Sequence, residues 1–480
     1  MGTRCPARRG DARTMSRYHD QNKPKQRKGP PRKPLDPARR AAFDVLRAVS
    51  ERDAYANLAL PALLRERGLS GRDAAFATEL TYGTCRTRGL LDAVIAAAAG
   101  RPVDQIDPVL LDLLRLGTYQ LLRTRVDAHA ALDTTVDQAG IEFDTARAGF
   151  VNGVLRTISE RDEQSWLAEI APPAASDPVG HAALVHAHPR WVAQAFVDAL
   201  GADAGELDEL LASDDARPVV HLAARPGVLT AAELAAQVDG TVGRYSPYAV
   251  YLTGGDPGEL TALRDRAAQV QDEGSQLVAR ALTLAPLQGE GDGRWLDLCS
   301  GPGGKTALLA ALAGDHATVT AVEPTPHRAE LVEHNTVGLG VRVLRVDGRE
   351  SGLEPGSFDR VLVDAPCTGL GALRRRPEAR WRRQPGDVPA LGKLQKELLA
   401  AAITLTRPGG VVLYATCSPH LAETVGVVAD ALRRRPVQAL DTRELFEGVD
   451  RLGDGPYVQL WPHRHGTDAM FAAALRVNEA

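Results

Sequence analysis

Between positions 37 and 170 the apolar residues recur at helical spacing, broken only by short Gly, Pro and Asp interruptions. Ala42, Val45, Leu46 and Val49 fall on one face, and Leu110, Leu111, Leu114 and Leu121 on another, across a start at Pro108 and an interruption at Gly117. Such spacing places side chains on one side of a helix, so the segment predicts an all-α domain of roughly six or seven helices. Residues 171–176, with Pro-Pro-Ala-Ala at their heart, read as a linker, and Pro189-Arg-Trp-Val-Ala-Gln-Ala-Phe-Val opens another amphipathic helix. Between residues 218 and 284, short apolar runs such as Val219-Val-His-Leu-Ala223 alternate with a helix over 230–238, the pattern of a small α+β subdomain.

From Arg294 onward strand-like runs alternate with helical ones. The strand-like runs are Trp295-Leu-Asp-Leu-Cys299, Thr318-Val-Thr-Ala-Val322, Val341-Arg-Val-Leu-Arg-Val346, Phe358-Asp-Arg-Val-Leu-Val363 and Gly410-Val-Val-Leu-Tyr414. This alternation predicts a parallel, doubly wound α/β sheet of Rossmann-like type. Ligands in such sheets bind beyond the carboxyl ends of the strands, so the residues that end these runs carry the candidate chemistry.

Residues 1–36 are basic, rich in Pro and Gly, and offer almost nothing apolar to bury, so they read as a disordered tail, either an electrostatic tether for RNA or a merely solvated end. The chain then divides into this tail (1–36), a helical domain (37–170), a linker helix with the small α+β subdomain (171–285) and the α/β domain (286–480). The formal net charge of -4 carries no whole-chain signature of a nucleic-acid binder, so local clusters must carry that reading. Cysteines at 5, 85, 299, 367 and 417 stand singly with no CxxC pair, which disfavours a zinc module and a disulfide framework. No apolar run approaches the roughly 20 residues that span a bilayer. A cytoplasmic, metal-free monomer is expected.

The first strand of the α/β domain runs into Cys299-Ser-Gly-Pro-Gly-Gly-Lys-Thr306 and then a helix. Gly301, Gly303 and Gly304 let backbone lie against a ligand where a Cβ would collide, with Cys299, Ser300, Pro302 and Lys305 completing the turn. A Gly-rich strand-to-helix turn is weak evidence alone, and the GxGxxG spacing is absent. Glu323 follows the second strand, where a carboxylate can accept ribose hydroxyls, and Asp347 ends the third, within reach of an adenine amino group. Either is unremarkable singly; with the turn they predict an adenosine site.

The fourth strand ends in Asp364-Ala-Pro-Cys-Thr-Gly369 and the fifth in Tyr414-Ala-Thr-Cys-Ser-Pro419, so Cys367 and Cys417 reach the same crevice. A lone cysteine is most often a small buried hydrophobe, the reading preferred for Cys85 and Cys299. Two at one active edge suit nucleophilic catalysis on a cytosine. A thiolate that adds to C6 turns C5 into an enamine carbon able to accept a methyl group from a sulfonium, and a second group near C5 then helps expel the enzyme sulfur. Asp364 can hydrogen-bond cytosine N3 and stabilise the electron-rich adduct, and Lys305 can lower a thiolate pKa or hold the base. Each also reads as an ordinary strand-end or loop charge. Chemistry leaves open which sulfur attacks. The base must be unpaired or flipped, because C5 and C6 are shielded in a stack. Arg374, Arg375, Arg376, Arg380, Arg382 and Arg383, with Trp381 among them, suit phosphate contacts and stacking, the alternative being a solvated loop.

These motifs resemble the RsmB/Sun family of RNA 5-methylcytosine methyltransferases over most of the chain. The family's Leu-Asp-Leu-Cys-Ala-Ala-Pro-Gly-Gly-Lys-Thr appears at 296–306 with Ser300-Gly301 in place of Ala-Ala; Asp-Ala-Pro-Cys stands at 364–367, Ala-Thr-Cys-Ser at 415–418, and a familiar stretch at Gln271-Asp-Glu-Gly-Ser-Gln276. The resemblance implies S-adenosyl-L-methionine as cofactor, Cys417 as nucleophile and Cys367 as the residue that promotes product release. Arg39-Arg-Ala-Ala-Phe-Asp-Val-Leu46 and Arg147-Ala-Gly-Phe-Val-Asn-Gly-Val-Leu155 look like a NusB-type RNA-binding domain, which implies a cytosine of bacterial 16S ribosomal RNA as target. Two positions depart from the pattern: the acidic-Asn pair after Thr-Cys is Glu423-Thr424, and Asp-Gly-Phe-Phe is Asp468-Ala-Met-Phe471. Competing readings are a tRNA cytosine-5 methyltransferase and a noncatalytic NusB-like RNA-binding factor; retention of both cysteines, the Gly turn, Glu323 and Asp347 argues against the latter.

Overall fold

The computed structural model describes residues 35–479, so residues 1–34 of the basic tail, Cys5 among them, lie outside the described residues, while Asp36 belongs to the first helix as its cap. Helices come first: Pro37–Arg52, Ala56–Glu66, Gly71–Ala99, Pro108–Arg123, Ala128–Glu142, Thr145–Ser159 and Glu163–Ile170. The aspartates read as breaks are their N-caps. Asp36, Asp107, Asp127, Asp144 and Asp162 each accept a hydrogen bond from a first-turn amide, an arrangement worth about 1 kcal/mol per helix. Gly117 does not interrupt its helix. A Cβ there would fall 2.8 Å from Leu155 Cδ1 and 3.1 Å from Thr135 Cγ2, so the glycine lets two neighbouring helices close in. Phe43, Leu46, Leu80, Leu91, Leu114 and Leu155 share the resulting core.

After the linker, helices Pro178–Val185, Arg190–Leu200 and Leu207–Asp215 bury Val192, Phe196 and Leu211 against Leu370, Leu373 and Trp461 of the α/β domain. An antiparallel sheet follows in the order β2-β3-β1-β4, with β1 Val220–Ala224, β2 Thr241–Val242, β3 Ala249–Leu252 and β4 Ala268–Val270. Its helix Ala231–Val238 opens on a capping box between Thr230 and Glu233.

The second sheet contains β5 Arg294–Asp297, β6 Thr318–Val322, β7 Arg342–Leu344, β8 Phe358–Asp364, β9 Thr406–Thr416, β10 Val437–Ala439, β11 Val458–Gln459 and β12 Phe471–Val477. The order is β10-β12-β9-β8-β5-β6-β7, with β11 paired on β12. The five strands expected from the sequence, β5 to β9, are parallel to their neighbours among themselves. The sheet as a whole is not parallel. β12 lies antiparallel beside β9, and β10 antiparallel beside β12. Phe-Ala-Ala-Ala-Leu reads as readily as a helix as a strand, and only its burial on both faces makes it the neighbour of β9. Among the described residues no helix is long and apolar enough to cross a membrane, and no group of three or more His, Cys, Asp and Glu side chains is placed to hold a metal ion.

Candidate active site

The turn from β5 into helix Gly304–Ala313 is fixed by backbone geometry. Gly303 has φ +92°, and a Cβ on it would stand 2.9 Å from Val332 Cα; Gly301 has φ +54°. Both lie where an L side chain is strained. Ser300 N–H donates to Val322 O at 3.0 Å, and Cys299 N–H to Asp297 Oδ1 at 3.3 Å. Pro302 O accepts from Asn335 Nδ2 at 2.8 Å, and Gly304 O from Gln269 Nε2 at 2.8 Å, which ties the turn to the small sheet.

Glu323, buried at the end of β6, accepts from Gly301 N at 3.1 Å on one oxygen and from Thr325 N at 2.9 Å on the other. A carboxylate offers about four acceptor sites, so capacity remains on each oxygen for a diol. Asp347 sits beyond β7 rather than on its last residue. It caps the 3-10 turn Gly348–Glu350 and holds Arg349, whose hydrogen bonds keep its carboxyl below the usual range.

The two cysteines meet at the neighbouring ends of β8 and β9. Register pairs Asp364 with Ala415, and Cys367 Sγ stands 3.4 Å from Cys417 Sγ, both half-buried. Lys305 Nζ lies 2.7 Å from Asp364 Oδ2 and 3.3 Å from Ser275 Oγ. Burial works against the Lys305 charge, but the Asp364 carboxylate outweighs it and the ammonium is held above its ordinary pKa. Beneath them Asp297 accepts from the Thr306 hydroxyl at 2.7 Å, and burial pushes its carboxyl up to about 6. The hydrogen bond from Cys367, helped by the cations Lys305 and Arg376, brings the Cys417 thiol down despite burial. Its hydrogen bond to Cys417, burial, the charge of Cys417 and then the negative charge of Glu423 push the Cys367 thiol up.

The arginine-rich segment is not the free basic loop expected. Arg380 is fully buried, with Nη1 2.6 Å from Asp215 Oδ1 and Nη2 2.8 Å from Asp214 O. Arg374 and Arg375 both reach Asp272 and Asp468. Arg382 donates to Val49 O and Ala54 O, and Arg383 to Thr368 O at 3.1 Å. Trp381 packs on helix Gly71–Ala99, where a Cβ at Gly89 would fall 2.1 Å from its Cη2. Arg374 and Arg380 are buried among carboxylates and carbonyls of other elements, whereas Arg382 and Arg383 are only partly covered. The segment is a seam that bolts the helical domain to the loop that carries Cys367. Arg376 alone of the set is exposed, stacked over Tyr55 at 5.8 Å, and it stays near Cys417.

Residues quoted from the sequence only as parts of motifs, with no role given, brace the site. Asp272 Oδ1 accepts from Arg375 at 2.7 Å while its Oδ2 accepts from the amides of Gly274 and Asp468 at 2.9 and 3.1 Å. The acidic residues kept in the two divergent motifs supply further parts: Asp468 is the second anchor of Arg374 and Arg375, and Glu423 joins the two cysteine loops.

Comparison with known proteins follows this geometry. The family described as 16S rRNA methyltransferase RsmB/F matches residues 281–476, and the NusB family matches residues 36–160. A Mycobacterium tuberculosis protein named as a methyltransferase is 78% identical over 451 residues, 94% of this chain and 98% of its own length. The ribosomal RNA small subunit methyltransferase B of Pseudomonas putida is 34% identical over 408 residues, covering 83% of this chain and 89% of that protein. Among solved structures, PH0851 shares the fold at TM-score 0.77 and 21% identity, covering 92% of this chain and 99% of that one. NSun6 from Pyrococcus horikoshii, solved with SFG, does so at TM-score 0.52 and 18% identity over 61% of this chain and 99% of that one. With relatives of that identity spanning nearly its whole length, and a family match over the sheet that carries both cysteines, the chain belongs to the 16S rRNA methyltransferase RsmB/F family, with a NusB-family domain at its amino-terminal side.

Proposed function

We propose that the chain methylates C5 of one cytosine in 16S ribosomal RNA, using S-adenosyl-L-methionine and a covalent bond between Cys417 and C6 of the base. The observation that carries this reading is the 3.4 Å approach of two thiols beside a glycine-rich turn and a buried carboxylate. The cofactor, when bound, supplies an electrophilic methyl group. The turn 299–304 would hold it, with Glu323 at its ribose and Asp347 toward its adenine.

Cys417 attacks C6 as the thiolate, which makes C5 nucleophilic. Asp364 steadies N3 of the adduct through the oxygen that Lys305 does not engage, and Lys305 holds Asp364 in place while favouring the thiolate. Cys367, 3.4 Å from the attacking sulfur, promotes release of the product. In this reading residues 37–170 engage RNA, 171–285 brace the site, and 286–480 perform the transfer.

Bisulfite sequencing of total RNA from a deletion strain tests the target. Loss of one 5-methylcytosine in 16S rRNA, restored by the wild-type gene, is expected; loss at a tRNA site alone would overturn the ribosomal target.

A further inference from the structure

Glu423 is wholly buried, and its carboxylate is gripped by two loops and a helix. Oε1 accepts from the Thr368 amide at 2.8 Å and from Gln395 Nε2 at 3.1 Å; Oε2 accepts from the Thr368 hydroxyl at 2.5 Å and the Ser418 hydroxyl at 2.7 Å. Thr368 follows Cys367 and Ser418 follows Cys417, so one side chain fastens the residues adjoining both sulfurs. Gln395, on helix Asp387–Leu405, also donates to Pro366 O at 2.9 Å and so holds the chain just ahead of Cys367. The Tyr414 hydroxyl donates to Glu423 O at 2.7 Å and ties the whole clamp to β9.

These donors are all neutral. They solvate the carboxylate but do not cancel its charge, and in a poorly polarisable interior that charge acts on whatever lies nearest. On the Cys367 side the contact is double, the amide and the hydroxyl of the very next residue; on the Cys417 side it is one side-chain hydroxyl. The charged and titratable groups facing the sulfur pair are Asp364 from β8, Lys305 from helix Gly304–Ala313, Arg376 from the seam, Tyr414 from β9 and Glu423 itself. Lys305 and Arg376 flank Cys417, and Arg383, at the Thr368 carbonyl, is the cation on the Cys367 side.

We propose that Glu423 is the positioning residue that makes the two cysteines unequal, its buried charge keeping the proton on Cys367 and leaving Cys417 as the sulfur that attacks. The attack itself rests on the reaction proposed above; the proton distribution is a property of the free protein. The opposed shifts of the two thiols agree with this arrangement.

Alkylation of the full chain by iodoacetamide across a pH series, with each cysteine read by peptide mass spectrometry, tests the proposal without RNA or methyl donor. In the wild type Cys417 alkylates at lower pH than Cys367. In Glu423→Gln the Cys367 rate at about pH 8 rises at least about tenfold, the change that follows when a thiol pKa falls by one or more. Glu423→Asp, which keeps the charge, restores part of the discrimination. Glu423→Met serves as the second neutral variant should the amide not fold. Faster alkylation of Cys367 in the wild type, or an unchanged ratio in a folded neutral variant, overturns the proposal. Because methylation is not the readout, a chain with the wrong RNA target can still pass and an active methyltransferase can still fail.

Discussion

Cys367 Sγ and Cys417 Sγ stand 3.4 Å apart although 50 residues separate them in sequence. Register brings them together, since β8 and β9 are adjacent and parallel and both cysteines lie just past the strand ends. Distinct roles at this distance predict distinct failures. Cys417→Ala abolishes methyl transfer, whereas Cys367→Ala accumulates a covalent protein–RNA adduct, seen as a slow band on a denaturing gel. A trapped band from Cys417→Ala instead would reverse the roles.

Lys305 is the cation nearest the site's acid, 2.7 Å from Asp364 Oδ2, and it also lowers the Cys417 thiol. Replacing it in Lys305→Met removes that support, so the thiolate forms only at higher pH. The acidic limb of the kcat/KM profile should move upward, with a loss of about tenfold or more near pH 7. Methyl incorporation measured from about pH 6 to 9 decides; an unmoved limb would exclude Lys305 from thiolate formation.

Arg380 offers a test of the seam. Its side chain is inaccessible and paired with Asp215, so Arg380→Ala leaves a carboxylate without its partner and costs about 3 kcal/mol. Urea unfolding of the full chain should show that loss, while the salt dependence of RNA binding stays as in the wild type. A slope reduced by about one charge would return Arg380 to a phosphate contact.

Asp214 predicts a pH effect on stability. It is buried with neither carboxylate oxygen hydrogen-bonded, 3.6 Å from His188 Nε2, and burial raises its pKa to about 6. An acid that binds its proton more tightly when folded stabilises the fold below its unfolded pKa, near 4, and loses that contribution as pH rises through about 6. Asp214→Asn should therefore gain on the order of 2 kcal/mol over the wild type at about pH 8 and little at about pH 4. Melting curves of both proteins at the two pH values check it; an equal difference at both would rule out Asp214 as the titrating group.

Local signals were read well from the chain. Asp36, Asp107 and Thr230 announce helices because a cap acts within a turn, and β5 to β9 announce themselves by apolar runs between glycines. Contacts across the fold were not. Arg380 meets Asp215 over 165 residues, Arg375 meets Asp272 over 103, and nothing in the run 374–383 distinguishes an arginine awaiting phosphate from one already paired. Glu423 was visible as a motif position, but its grip on Thr368 is a product of β8 lying beside β9.

The antiparallel placement of β12 sets an order in time. β9 ends one residue before Cys417, and its free edge is covered by residues 471–477, with Phe471 opposite Thr416. In synthesis residues 406–416 emerge before residues 471–477, so β9, which ends beside Cys417, keeps one edge bare until β12 follows.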